Sequence, residues 1–191
     1  MGEVYNQSSF LADSVISEIN KGLVEHFEWL DKAYGRAERL LKNINGKSYK
    51  LPAFYIGSEN HTNEYIELSP DSKIGNFSFF WMLDPEDYVW RPNIQGLFRS
   101  PFALIFWFDF RKITGSLSQR NLSYLEAEIL SFLNRKIGLR TGSLEINTVY
   151  RLPESIYREF TLDAVDNQFL MHPYGGLRFE GTLIFEEPCL E

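Results

Sequence analysis

The run FALIFWF, Phe102 to Phe108, followed by DFRK, restricts the possible folds more than any other stretch. Seven consecutive apolar residues are too few to cross a membrane as a helix, which takes about 20. A transmembrane barrel needs at least ~8 strands of about 9–11 residues, and this chain offers strand signals for about six. Read as a strand, with successive side chains on opposite faces, Phe102, Leu104, Phe106, Phe108 and Phe110 share one side. Ala103, Ile105, Trp107, Asp109 and Arg111 share the other. The Phe/Leu side calls for a core of packed helices. The second side is apolar for half its length and charged at its end, which predicts a face partly exposed or covered by a partner.

Around this strand the periodicities are mixed. From about Ser9 to Asn43 the residues Val15, Ile16, Ile19, Leu23, Phe27, Leu30, Tyr34, Ala37 and Leu41 recur at helical spacing, predicting one long amphipathic helix closed by Asn45-Gly46. Gly22 and Gly35 are points where it would kink or divide. LPAFYI (51–56), EYIEL (64–68) and NFSFFWML (76–83) read as strands that are antiparallel neighbours of one another, because their connections are too short for crossover helices. Residues 84–101, with Pro85, Pro92, Pro101 and Gly96, read as a long loop or arm. Ser123 with Glu126 forms a capping box for a second helix, whose stripe is Leu125, Ile129, Phe132 and Leu133. LEINTVYRL (144–152) is a strand, Pro153 opens a short helix, and the segments either side of Tyr174-Gly175-Gly176 read as a final hairpin. In the last strand Leu177, Phe179, Leu183 and Phe185 alternate with Arg178, Glu180, Thr182 and Glu186, so its second face should be wet or covered by a partner with polar chemistry.

These signals predict an α+β fold: a mostly antiparallel, mixed sheet of about six strands with two long helices packed on one face. The 191 residues suit a single domain over 1–191, with the loop or arm at about 84–101. A composition that is 16% aromatic needs a large core or interfaces. The formal charge of −7, without a basic run, disfavours sequence-specific or tight nucleic-acid binding. The lone Cys189 precludes an intramolecular disulfide framework, and the N-terminal sequence has neither the basic nor the long apolar region of a signal peptide.

Chemical motifs are sparse. His26, His61 and His172 stand at no metal-ligand spacing, and Asp84, Glu86 and Asp87 lack the EF-hand pattern, so neither metal nor cofactor is expected. GxSxG, GxxxxGK[ST] and GxGxxG are absent, and Cys189 sits in a tail unsuited to a catalytic thiol, so the expectation is no enzyme. Trp90, Arg91, Phe98 and Arg99 in the loop are of the types that anchor protein interfaces, although Trp90 and Phe98 have the alternative of folding back onto their own core. Trp107, Asp109 and Arg111, on the second face of the opening strand, complete the candidate interface.

The element order, with GRAERL at 35–40, FSFFWML at 77–83, FWFDFR at 106–111 and GGLRFEGTLIFEEPC at 175–189, resembles the tail-terminator and neck-type proteins of tailed bacteriophages and their prophage-encoded counterparts. That resemblance implies a non-catalytic structural protein that forms rings, commonly hexamers, with other tail proteins as partners. It also implies a cytoplasmic location during assembly and a place in the virion afterwards. The alternative from a different class is a small-ligand-binding or enzymatic α+β domain of unknown substrate, with a pocket between helices and sheet.

Overall fold

Sixteen residues of continuous strand, Ile94–Asp109 (β8), form the axis of the main sheet. The computed structural model describes residues 2–6, 11–57, 65–71, 73–83, 87–91, 94–113, 121–135, 139–140 and 142–186, with backbone alone at 87–91, 94–96, 164 and 186. Other strands are β1 (Glu3–Tyr5), β2 (Lys32–Arg36), β3 (Glu38–Ile44), β4 (Lys47–Tyr55), β5 (Tyr65–Glu67), β6 (Phe77–Met82), β7 (Asp87–Arg91), β9 (Gly142–Tyr150) and β10 (Tyr174–Glu186). The main sheet runs β1-β2-β6-β8-β10-β9. β7 continues the line of β6 along the first half of β8. β1-β2 and β2-β6 are parallel and the remaining pairs antiparallel, so the fold is α+β with a mixed, mostly antiparallel sheet.

Helix α1 (Ala12–His26) and helix α3 (Leu122–Arg135) lie on one face of this sheet; a single turn, α2 (Phe110–Ile113), follows β8. Val15, Ile16, Ile19 and Leu23 of α1 and Leu125, Ile129, Phe132 and Leu133 of α3 meet Phe102, Leu104, Phe106 and Phe108 in one core. Each fully buried Leu or Phe contributes about 1.5–3 kcal/mol relative to exposure. This layer follows the expected faces residue by residue. The cap of α3 differs: the Asn121 side chain accepts from the Ser123 N–H at 2.9 Å, while Glu126 pairs with Arg151.

The expected long helix over 9–43 is corrected. It stops at His26, and residues 32–44 become β2 and β3. The reason is tertiary: the N–H groups of Asp31 and Lys32 both donate to the Asn76 carbonyl, at 3.0 and 3.1 Å, and the Asp31 carboxylate accepts from the Asn76 N–H at 2.8 Å. That docks the chain alongside β6 before a helix can continue. Asn45-Gly46, with φ of 51° and 77°, is not a helix stop but the two-residue turn of the β3–β4 hairpin, whose twist needs positive φ at both positions.

Two further corrections concern the sheet. The 84–101 segment is not a loop throughout: β7 and the first half of β8 form an antiparallel pair within it. The final hairpin about Tyr174 is instead one uninterrupted strand, β10, preceded by a 3-10 turn at Asn167–Leu170. Its register is kept along β8 from Tyr174 to Glu186, while β9 bulges opposite Glu180/Gly181. A Cβ at Gly181 would lie on the Glu145 carbonyl of that bulge, so this position tolerates no side chain.

Along Ala103 to Asp109 the second face of the sheet is covered by the chain itself, while toward its other end Arg99, Glu145 and Thr148 are exposed. β3, β4 and β5 form a smaller sheet, and Phe54 from it and Leu68 just past β5 join Tyr34, Phe77, Phe79, Ala103, Ile105 and Trp107 in a second core. The short helix α4 (Pro153–Ile156) and Tyr157 complete the cover. Among the described residues no helix is long and apolar enough to cross a membrane.

Candidate functional site

Two places carry chemistry that core packing does not consume. One lies where β8 ends and β10 begins. The Trp107 ring stacks on Tyr174 at 5.2 Å, and its Nε1–H donates to the Phe169 carbonyl at 3.0 Å. Two positions on, the Asp109 carboxylate accepts from Arg111 Nε at 2.9 Å and Nη2 at 2.7 Å, and from the Arg111 backbone N–H at 2.9 Å. Arg111 also donates to the Tyr174 hydroxyl at 3.0 Å. Asp109 is buried. Burial alone would raise its carboxyl, but the hydrogen bonds and charge of Arg111, with Lys112 beyond, outweigh that and hold it below the usual carboxylate range. With both oxygens taken by Arg111, Asp109 is a fixed anion rather than a proton acceptor.

Asn76, which the sequence did not single out, positions this corner. It is buried; its Oδ1 accepts from the Asp109 N–H at 2.8 Å, and its Nδ2 donates to the Trp29 carbonyl at 2.9 Å. One side chain thereby fixes the starts of β2 and β6 against the end of β8. Two cavities open on either side of the Trp107–Tyr174 stack. The polar one, about 250 Å³, is lined by Asp71, Gly75, Asp109, Arg111 and Lys112. The other, about 170 Å³, is lined mainly by rings and by Gly175 and Gly176.

Beside the second cavity lies a buried ionic group. Arg178 has no exposed surface; it donates to Glu159 at 2.6 Å, to Glu180 at 2.6 Å and to the Ile156 carbonyl at 3.0 Å. Arg158 closes the square on Glu180 at 2.7 Å and Glu159 at 3.1 Å. Burial raises the Glu159 carboxyl, but Arg178 and then Arg158 outweigh it and bring it below its ordinary value. At Arg178 and Glu180 the polar face expected of β10 is therefore covered by the chain itself, through ion pairs that clamp Arg158 and Glu159 to the sheet.

The other place is the β3–β4 hairpin. Beyond Lys50, whose backbone is tied to Thr161, its residues are largely exposed; Leu41 is 64% exposed and Ile44 38%. Among the described residues no strand pairs the outer edge of β3. Arg39 lies 5.6 Å over the Trp81 ring and Lys42 reaches Glu67 at 3.0 Å. From 38 to 50 there are four basic residues, Arg39, Lys42, Lys47 and Lys50, and one acidic, Glu38. The hairpin thus carries +3 while the rest of the chain sums to −10 against a total of −7.

The structure brings Trp107, Asp109 and Arg111 together, but not as an open interface. Trp107 is 3% exposed and Asp109 6%, so both are corrected to interior residues, enclosed by Phe169, Tyr174 and Asn76; Arg111 is at the surface. Phe98 and Arg99 are at the other end of β8: Phe98 folds back, stacking on Phe185 at 5.5 Å, and Arg99 is exposed. The side chains of Trp90 and Arg91 lie outside the described residues, as do His61, Asp84, Glu86 and Cys189. Among the described residues no three His, Cys, Asp or Glu side chains gather as a metal site would need. The hairpin was legible as Asn-Gly between apolar, charged runs, a stronger hairpin signal than a helix stop. Comparison with models of known protein families and with curated proteins gave no match.

Proposed function

We propose that this chain is a structural, self-assembling subunit of the tail-terminator or neck type found in tailed bacteriophages, acting by ring formation rather than by catalysis. The observation that carries the reading is the β3–β4 hairpin: a two-stranded arm with an edge unpaired among the described residues, exposed Leu41 and Ile44, and a net charge opposite to that of the rest of the chain. Unpaired edges and exposed apolar residues of this kind are surfaces that a partner covers, and the charge contrast favours a second copy of the same chain. A contact from the arm of one copy to the body of the next is head-to-tail, and head-to-tail contacts close into rings when the rotation permits. Other tail proteins would then meet the ring on its two ends.

Mass measurement in solution by light scattering, with electron microscopy of the same sample, tests this. A discrete oligomer, commonly a hexamer, is expected at about 50 mM salt, weakening toward about 500 mM as the charges are screened. Replacing Lys47 and Lys50 together by Glu should return the protein to monomers. A monomer at every concentration and salt level would overturn self-assembly through the arm.

A further inference from the structure

We propose that the arm of one copy docks on a cavity of the next: Leu41 enters the pocket beside the start of β10, formed with the Pro153–Tyr157 segment and the Asn167–Leu170 turn, and is flanked there by Leu152 and Met171. The pocket supplies the receiving surface that assembly through the arm requires, and its assignment rests on that reading. Among the described residues three large apolar side chains are more than half exposed: Leu41 at 64%, Met171 at 65% and Leu152 at 67%. They fall in two places. Leu41 stands on the arm, while Leu152 and Met171 are the chain neighbours of Pro153 and Leu170, which line the pocket. Exposed apolar groups gathered round a concavity mark a surface that another molecule covers.

The fit is one of size and of charge. The pocket opens to solvent, holds about 170 Å³ and is lined mainly by apolar groups, among them Pro153, Ile156, Phe169 and Leu170. Apolar cavities of about 150 Å³ admit benzene, so there is room here for one aliphatic side chain. Residues 151–173, which supply much of the lining, hold two basic residues, Arg151 and Arg158, and four acidic, Glu154, Glu159, Asp163 and Asp166, a net −2. Arg151 is paired with Glu126, and Arg158 with Glu159 and Glu180. That leaves Glu154, Asp163 and Asp166 exposed and, among the described residues, outside any salt bridge.

The arm is complementary. Lys50 is the cross-strand partner of Leu41, and Lys47 that of Ile44, so each exposed apolar residue shares its face of the hairpin with a lysine. Both lysines are exposed and in no salt bridge among the described residues, whereas Lys42 is held by Glu67. An apolar side chain beside an unpaired cation therefore meets an apolar pocket bordered by unpaired anions. Such a match selects both the partner and the register of docking.

The test uses two variants of the intact chain, read by light scattering at about 50 mM salt. Lys47→Glu with Lys50→Glu spoils the arm and leaves the pocket. Leu152→Lys with Met171→Lys places like charge on the pocket rim and leaves the arm; both positions are exposed, so Tm should not change. Each variant alone should be monomeric. An equimolar mixture at the highest soluble concentration should give a 1:1 dimer and nothing larger, because one intact arm meets one intact pocket. Adding Leu41→Ser to the second variant should weaken that dimer about ten-fold or more. If the wild type assembles but Leu152→Lys/Met171→Lys assembles equally well, or if the mixture stays monomeric, the pocket is overturned as the arm's receptor and belongs to another occupant, while assembly through the arm stands. A wild type that is monomeric at every salt level and concentration overturns both.

Discussion

Along the centre of β8 both faces of the main sheet are buried, but by different means. Under α1 and α3 the sheet presents Phe102, Leu104, Phe106, Phe108, Leu177, Phe179, Leu183 and Phe185, and that core is apolar. On the opposite side the same strands present Ala103, Ile105 and Trp107 together with Arg178 and Asp109, and the cover is held by ion pairs and hydrogen bonds as well as by rings. Volume and apolar area stabilise the first face; the second depends also on Arg178 and Asp109 keeping their partners.

The sharpest test sets one fully buried side chain of each face against the other. Phe106→Ala and Arg178→Ala should each cost about 3–5 kcal/mol near neutral pH, measured by chemical denaturation. The causes differ, a cavity in one case and two carboxylates left without their buried partner in the other. Acid separates them. Protonating Glu159 and Glu180 should relieve much of the Arg178→Ala penalty and leave that of Phe106→Ala unchanged; equal pH dependence in the two variants would remove the distinction between the faces.

Asn76→Ala comes next, at about 1–3 kcal/mol, since it strips partners from the Trp29 carbonyl and the Asp109 N–H. An amide-exchange experiment on the variant should show loosening at the ends of β2, β6 and β8 together.

The unmodified protein should itself lose stability in acid. Asp109 and Glu159 both titrate below their ordinary values of 3.8 and 4.5 in the folded state. Their contribution is therefore complete above those values and is lost as pH falls through the lower folded ones. Asp13 acts in the opposite sense: burial outweighs Arg36 and raises its carboxyl, so its protonation partly offsets the loss. Glu159→Gln should flatten the acid limb of a stability-versus-pH curve and Asp13→Asn should steepen it. The smallest effect on stability, within about 0.5 kcal/mol, is expected for Leu41→Ser on the exposed hairpin; on the assembly reading its effect is on the oligomer instead.

How much of this was legible follows the same division. The helix-facing core could be read from alternation and from 3.6-residue spacing, because apolar residues there answer to one demand, a dry side, and Phe102 to Phe108 display it directly. The second face could not. Arg178 was visible as the polar half of an alternation, but nothing in its spacing to Glu159 shows that the two carboxylates and the Ile156 carbonyl would enclose it. Asn76 looked like the first residue of a strand, and its role depends on Asp31 and Asp109, far away in the chain. Leu30, Tyr34 and Ala37 matched a helix by period and are buried, yet in a strand and its flanks, since residues packed between two layers need no alternation. The interior position of Trp107 was missed for the same reason: the elements that cover it, the Asn167–Leu170 turn and Tyr174, were read as arms of a hairpin.

The central place of β10 has a consequence for synthesis. It bonds to β8 on one side and β9 on the other, so among the described residues the strands from β1 to β8 are hydrogen-bonded into one sheet with β9 through residues 174–186. Until that stretch leaves the ribosome, β8 carries a long unsatisfied edge and its Phe side is only partly covered. Sheets closed by such distant pairings form late and expose sticky edges meanwhile. For this chain, the interval between translating residue 109 and residue 186 is the period in which a chaperone, or a neighbouring nascent copy, has the most to bind.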